Sequence, residues 1–226
     1  MDGILLVDKP AGWSSFDVVA KVRGIIKHGT DRKKPKVGHT GTLDPLATGL
    51  MVVVVGTYCK RAEQFAKFDK TYEVTMQLGQ TSTTGDDEGE KTTISTHRPR
   101  LAELEAATEQ FMGTISQVPP AFSAIKVNGQ RAYKLARAGK QVVLEPRQVT
   151  IHGITNLSYH YPEVRFTVSV SSGTYIRSLV EDIGTVLTTG AYVSNLRRIV
   201  VGDFILSDAI TTDNLDIELI KQHLQV

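Results

Sequence analysis

Gly38-His39-Thr40-Gly41-Thr42-Leu43-Asp44-Pro45-Leu46-Ala47-Thr48-Gly49 runs directly into Leu50-Met51-Val52-Val53-Val54-Val55. The second part is a continuous apolar run rich in β-branched residues, which suits a strand buried on both faces. The first part reads as an irregular loop, because its glycines admit conformations other residues avoid and Pro45 fixes its own φ. His39 and Asp44 project from this loop, and Pro45 biases Asp44 toward extended backbone. Taken alone, Asp44 fits a nucleophile, a general base or a metal ligand, and equally a turn-capping carboxylate bonded to nearby N–H groups. His39 equally fits a locally bonded loop histidine.

Outward from that stretch, Ile4 to Val7 predicts a short strand closed by the turn Lys9-Pro10-Ala11-Gly12. Ser14 or Ser15 can cap a helix whose apolar positions Phe16, Val19, Val22, Ile25 and Ile26 recur at helical spacing. Lys60 to Phe68 reads as a short helix, Thr71 to Leu78 as an alternating strand and Thr81 to Glu90 as an acidic turn region. Leu101 to Met112 predicts a helix with Leu101, Leu104, Ala107 and Phe111 on one stripe, ended by Pro119-Pro120. Asn128-Gly129 marks a tight turn, and Arg131 to Ala138 a short basic helix. Val149 to Leu157, Val164 to Val170 and Ile199 to Ile205 read as strands, Tyr175 to Leu187 and Leu215 to Leu224 as helices. The regular βαβ rhythm of a doubly wound sheet is missing, so the expected class is α+β around a mixed sheet. The segment 119–142 reads as an insertion projecting from the body.

With 226 residues, 41% of them hydrophobic, the chain can bury roughly 70% of its unfolded surface without a staple. Cys59 stands alone, which excludes an internal disulfide framework and a Cys-rich zinc site. The apolar run is far short of the roughly 20 residues that span a bilayer. The first ten residues lack a signal-peptide pattern, so a reducing cytoplasm is the expected setting. Formal charge is 26 − 24 = +2, but its distribution is uneven. Seven basic residues against Asp31 lie between Lys21 and Lys36, and six against Glu145 lie between Lys126 and Arg147. Brought together, these segments would form a polyanion-binding face; apart, they are solvated surface.

No phosphate-loop or dinucleotide glycine motif, no histidine pair at metal-binding helical spacing and no G-x-S-x-G elbow occurs. Ser172-Gly173-Thr174-Tyr175-Ile176-Arg177-Ser178 places a cation on a first helical turn, where the dipole disfavours it. A carboxylate mate such as Asp44 would explain that placement and keep the acid ionised beside an apolar strand. Thr174 is the expected cap. Tyr72 and Tyr175 can pack in the core or stack on a flat base.

These residues resemble a known family, the TruB tRNA pseudouridine synthases. The loop Gly38 to Gly49 is similar to its catalytic loop. Asp8-Lys9-Pro10-Ala11-Gly12-Trp13-Ser14-Ser15, Lys70-Thr71-Tyr72, Thr84-Gly85-Asp86, the segment Pro119 to Gly129, Ser172 to Leu179 and Leu196-Arg197-Arg198 follow in the family's order. The resemblance implies the pseudouridine synthase fold, a mixed, largely antiparallel central sheet flanked by helices. It implies isomerisation of the uridine at position 55 in the TΨC loop of tRNA, with no cofactor and no metal. Asp44 matches the family's nucleophile, Arg177 its charge partner, and Tyr72 the aromatic on the target base. His39 matches the residue that fills the space of the flipped uridine. Tyr175 and Leu196 match the uracil pocket, and Asp86 a position near the RNA. Lys9, Lys126, Arg131, Lys134 and Arg137 are assigned to RNA contact, the last four on the mobile insertion. The partner is thus the tRNA T-arm, with no membrane, for a monomer. Bacterial members usually carry a C-terminal PUA domain; here one catalytic domain spanning 1–226 without it is expected. A nucleic-acid N-glycosidase and a non-catalytic RNA-binding module or tRNA chaperone on the same fold are the rival readings.

Overall fold

The computed structural model describes residues 1–123, 125–127 and 129–225. Ala124 and Asn128, which belong to the expected Pro119–Gly129 motif and its turn, lie outside the described residues.

Strand β1 (Gly3–Lys9) leads into helix α1 (Ser15–Gly29). Ser14 is the cap: its hydroxyl accepts from Asp17 N while the Asp17 carboxylate accepts from Ser14 N, a reciprocal capping box. Val18, Val19, Val22 and Ile26 are buried, whereas Phe16, placed by its spacing on the same stripe, is exposed. Strand β2 (Val37–His39) takes the start of the expected loop, and β3 (Thr48–Val55) the end of it. A 3-10 turn (Gly56–Arg61) and α2 (Ala62–Ala66) replace one predicted helix, and β4 (Lys70–Leu78) alternates as read.

The acidic stretch is the tip of a hairpin, β5 (Gln80–Ser82) and β6 (Lys91–Thr93). Helix α3 (Leu101–Glu109) buries Leu104 and Ala107 but exposes Leu101. It stops well before Pro119, because Gly113 at φ +82 turns the chain into β7 (Gly113–Gln117). Next come the small hairpin β8 (Lys126–Val127) and β9 (Gln130–Arg131), helix α4 (Ala132–Arg137), and the long pair β10 (Arg147–His160) and β11 (Glu163–Val170). Helix α5 (Ile176–Val186) follows, capped by Tyr175 rather than Thr174, whose hydroxyl instead donates to Ser171 O at 2.9 Å. Strand β12 (Ala191–Val201) begins earlier than expected and ends at Gly202, φ +56; β13 (Phe204–Ile205) folds back on it. The chain closes with β14 (Ile210–Thr211) and α6 (Ile217–His223).

These elements form two compact units. The first holds Met1–Glu73 and Leu196–Val226, with strand order β14-β1-β3-β12 and β2 added to β3. β1 and β2 pair antiparallel with β3; β14 on β1 and β12 on β3 are parallel. One face of β1 and β3 supplies Ile4, Leu6, Leu50, Val52 and Val54 to a cluster closed by Phe65 and Val201. The other face buries Leu5, Val7, Met51, Val53 and Val55, so the apolar run is covered on both sides as its composition requires. Each such side chain contributes about 1.5–3 kcal/mol.

The second unit, Val74–Asn195, has the order β4-β11-β10-β7. β10 pairs antiparallel with β11 and with β7, matching Val149 to Ile115. Val164, Phe166, Val168 and Val170 alternate into its core, and α5 buries Ile176, Leu179, Val180 and Ile183. The α+β class with a mixed, mostly antiparallel sheet therefore stands. Among the described residues no helix is long and apolar enough to cross a membrane.

Candidate active site

In the first unit the loop joining β2 to β3 carries Asp44, and three buried polar side chains hold its backbone. Ser15 begins α1 with its hydroxyl turned inward, accepting from Leu43 N at 2.7 Å and donating to Leu43 O at 2.9 Å. Lys9, at the end of β1, sets its ammonium on the carbonyls of Pro10, Trp13 and Pro45 at 2.9, 2.5 and 3.3 Å. Arg198 in β12 is 2% exposed. It donates to Leu50 O at 2.8 Å, Gly41 O at 3.1 Å and Thr42 O at 3.4 Å. Gly12 N adds a bond to Pro45 O at 2.9 Å, and Ala47 N closes the turn on Asp44 O at 3.1 Å.

The peptides on both sides of Asp44 are thus fixed, and a carboxylate so mounted loses little freedom on meeting a substrate. Gly49 completes the frame. It sits at φ +100, and a Cβ there would lie 2.3 Å from Arg198 O, so only glycine lets β12 run beside the loop's exit. Arg197, next in register, forks onto Asp8 at 2.7 and 3.2 Å and reaches Thr48 Oγ1 at 3.2 Å.

Lys9, assigned by the resemblance to RNA contact, is fully buried here, with its ammonium on the loop carbonyls. His39 lies on β2 opposite Val53. Its Nδ1 is buried without a hydrogen-bond partner among the described residues. Burial, and then the charge of Arg198, hold its pKa below the ordinary histidine value, so the ring is neutral near pH 7. Tyr72 on β4 and Leu196 on β12 belong to the same unit and are nearly covered.

The second unit holds Arg177, Tyr175, Asp86 and the basic arm. Arg177 lies in the first turn of α5, buried, and donates to Thr84 O at 2.8 Å and Phe122 O at 2.7 Å. Asp86 Oδ2 stands 3.6 Å from its guanidinium. Asp86 is itself buried, accepting from Thr84 Oγ1 at 2.5 Å and Glu88 N at 3.2 Å. Within the hairpin tip Asp86, assigned by the resemblance to a position near the RNA, lies beside Arg177. One turn along α5, Glu181 is pushed above its ordinary pKa by burial, against the pull of Arg177.

Tyr175 is clamped by Gln117: its N–H donates to Oε1 at 2.8 Å and its carbonyl accepts from Nε2 at 3.0 Å. Between these elements the arm folds on itself, with Ala132 N on Ile125 O and Tyr133 N on Ser123 O. Lys126, Arg131, Lys134 and Arg137 are all exposed. Lys126 sits directly across from Arg131, an opposition of like charges that weakens a free hairpin and suits one laid on a polyanion.

Three supporting residues escaped the sequence reading. Ser15 was legible only as a helix cap and Arg198 only as part of Leu196-Arg197-Arg198. Gln117, on a strand the reading missed, left no signal.

Comparison with known proteins gives one consistent answer. The family model for the N-terminal domain of TruB family pseudouridylate synthases matches residues 27–176. That for the tRNA pseudouridylate synthase B C-terminal domain matches residues 177–225. The tRNA pseudouridine synthase B of Thermobifida fusca is 45% identical over 96% of this chain and 75% of its own length. That of Pseudomonas putida strain F1 is 44% identical over 96% and 69%. Among solved structures, a chain of a Cbf5-Nop10-Gar1 complex superposes with a TM-score of 0.72 at 28% identity. It covers 94% of this chain and 53% of that one. A chain of an H/ACA RNP bound to a substrate RNA containing 2'-deoxyuridine gives 0.68 at 26% identity, over 94% and 52%.

Proposed function

Since the chain belongs to the TruB family of pseudouridylate synthases, we propose that it converts one uridine of tRNA, at position 55 in the TΨC loop, to pseudouridine. The observation that carries this reading is the braced loop bearing Asp44. Three buried polar side chains fix the backbone around one carboxylate, an arrangement that a turn cap does not require. Asp44 acts as the nucleophile. The N1–C1′ bond breaks, the base turns while held, C5 bonds to C1′ and gives up its proton, and N1 gains one, so no atom is gained or lost.

Base flipping comes first and costs a few kcal/mol. The neutral His39 ring, whose unpartnered Nδ1 is already desolvated, suits the space the uridine leaves. The family pattern assigns Tyr72 and Leu196 of the first unit to the uracil, and Tyr175 of the second. Arg177, oriented by Asp86, is the charge partner the family pattern assigns to the catalytic carboxylate. Lys126, Arg131, Lys134 and Arg137 neutralise phosphates of the T-arm, which makes binding salt-dependent. The test is incubation with unmodified tRNA followed by base-resolved detection of pseudouridine. Conversion at one uridine supports the reading; free uracil as product overturns it in favour of an N-glycosidase.

A further inference from the structure

Phe16 breaks the pattern of its own helix. Its spacing places it in the apolar series of α1, yet it is 63% exposed, the most open aromatic side chain among the large hydrophobic residues at the surface. Single exposed apolar residues are common and need no explanation, but Phe16 has company. Trp13, three residues earlier, is half-buried. Each ring carries a cation: Lys21 Nζ lies 5.5 Å from the Trp13 ring centre, and Arg23 Cζ 5.8 Å from that of Phe16. Arg23 is further fixed by a 2.9 Å bond to Val37 O. Asp17, the acid on this turn, is committed to the Ser14 cap, whose hydrogen bonds hold its pKa below the ordinary value.

Location adds a second argument. Ser15, the neighbour of Phe16, grips Leu43, the neighbour of Asp44, through two hydrogen bonds. Consecutive Cα atoms are 3.8 Å apart, so the aromatic pair stands immediately beside the loop that presents the catalytic carboxylate. From there Lys27 and the exposed Lys33 and Lys34 extend the positive charge, while Arg32 is paired with Asp2 at 3.0 Å.

We propose that Trp13, Phe16, Lys21, Arg23 and Lys27 form a second RNA-contact surface, on which an unpaired base near the target uridine stacks on Phe16 while its phosphates meet the three cations. Aromatic rings accept any base face, and adjacent cations supply the backbone charge that such platforms need. An apolar protein partner would gain nothing from three cations set around the rings; RNA gains from both features. The proposal rests on the reading of the chain as an RNA-modifying enzyme.

Its test is the dissociation constant for unmodified tRNA at several salt concentrations, for the full chain and its variants. Phe16→Ala and Phe16→Leu are expected to weaken binding about 10-fold, and Phe16→Tyr to restore it. A Lys21→Ala, Lys27→Ala double variant is expected to lower the salt slope by roughly 0.7 per lost phosphate contact. Because Phe16 is open to solvent, the urea midpoint of Phe16→Ala should match the parent, so a loss of affinity is not a loss of fold. Wild-type affinity in Phe16→Ala, or binding by Phe16→Leu equal to the parent, overturns the surface. Failure of the parent chain to form pseudouridine would instead overturn the functional reading.

Discussion

Replacing Arg198 by Met tests the claim that the catalytic loop is built from the outside in. Met fills much of the aliphatic volume but removes the guanidinium from Leu50 O, Gly41 O and Thr42 O. A hydrogen bond from a charged donor is worth about 1.5–3 kcal/mol net. The contact at 3.4 Å is too long to count fully, which leaves two good bonds and a loss of about 3–6 kcal/mol. For a chain of this length each kcal/mol lowers Tm by about 2–4 °C, so a drop of roughly 6–24 °C is expected. Urea titration should show a lower midpoint with an unchanged slope, because the exposed surface on unfolding is the same.

The functional consequence is read separately, under conditions where the variant is fully folded. Freeing the Gly41–Thr42 carbonyls lets Asp44 wander, and a displacement of about 1 Å costs on the order of 10²-fold in rate. Single-turnover conversion of saturating tRNA should therefore slow far more than tRNA binding weakens. Arg198→Lys, which keeps the charge but not the fork, should fall between the two. A stability loss below about 1 kcal/mol together with a parental single-turnover rate would refute the bracing argument.

Two further outcomes follow from the same geometry. Gln117→Leu removes both bonds to Tyr175, so a loss of about 1–3 kcal/mol of stability and a several-fold rise in KM are expected, checked by urea titration and steady-state kinetics. His39 has a folded pKa below its unfolded value; the unfolded chain then binds more protons between the two, and stability falls as pH drops below about 6.5. The acid limb of the urea midpoint against pH should be shallower in His39→Gln than in the parent, and identical limbs would contradict the assignment.

How much of this could be read beforehand depended on whether a residue advertised its surroundings. The strand Thr48–Val55 was legible because burial on both faces demands an unbroken apolar run, and α1 because its cap and its 3.6-residue period agree. Strand β7 was invisible: among the described residues it pairs with β10 alone, and Ile115 is its one large apolar residue. The early half of β12 was hidden by Ser194, Asn195, Arg197 and Arg198, polar residues that this strand tolerates because carbonyls and Asp8 satisfy them. The loop around Asp44 stands out by its glycines and proline, and Arg177 by its place on a first helical turn, where Thr84 O, Phe122 O and Asp86 meet it. The resemblance assigns Lys9 and Asp86 to the RNA; the fold buries both, Lys9 on the carbonyls of the loop around Asp44 and Asp86 beside Arg177. Phe16 shows the opposite error, a residue the pattern sent inward that the fold leaves outside.

The central claim is that the Asp44 carboxylate starts an isomerisation of tRNA uridine, and Asp44→Asn addresses it most directly. Unmodified tRNA would be incubated with parent and variant, and pseudouridine mapped base by base while binding is measured in parallel. The account predicts conversion at one T-loop uridine by the parent, and tRNA binding without conversion by the variant. Undiminished pseudouridine formation by Asp44→Asn would contradict it.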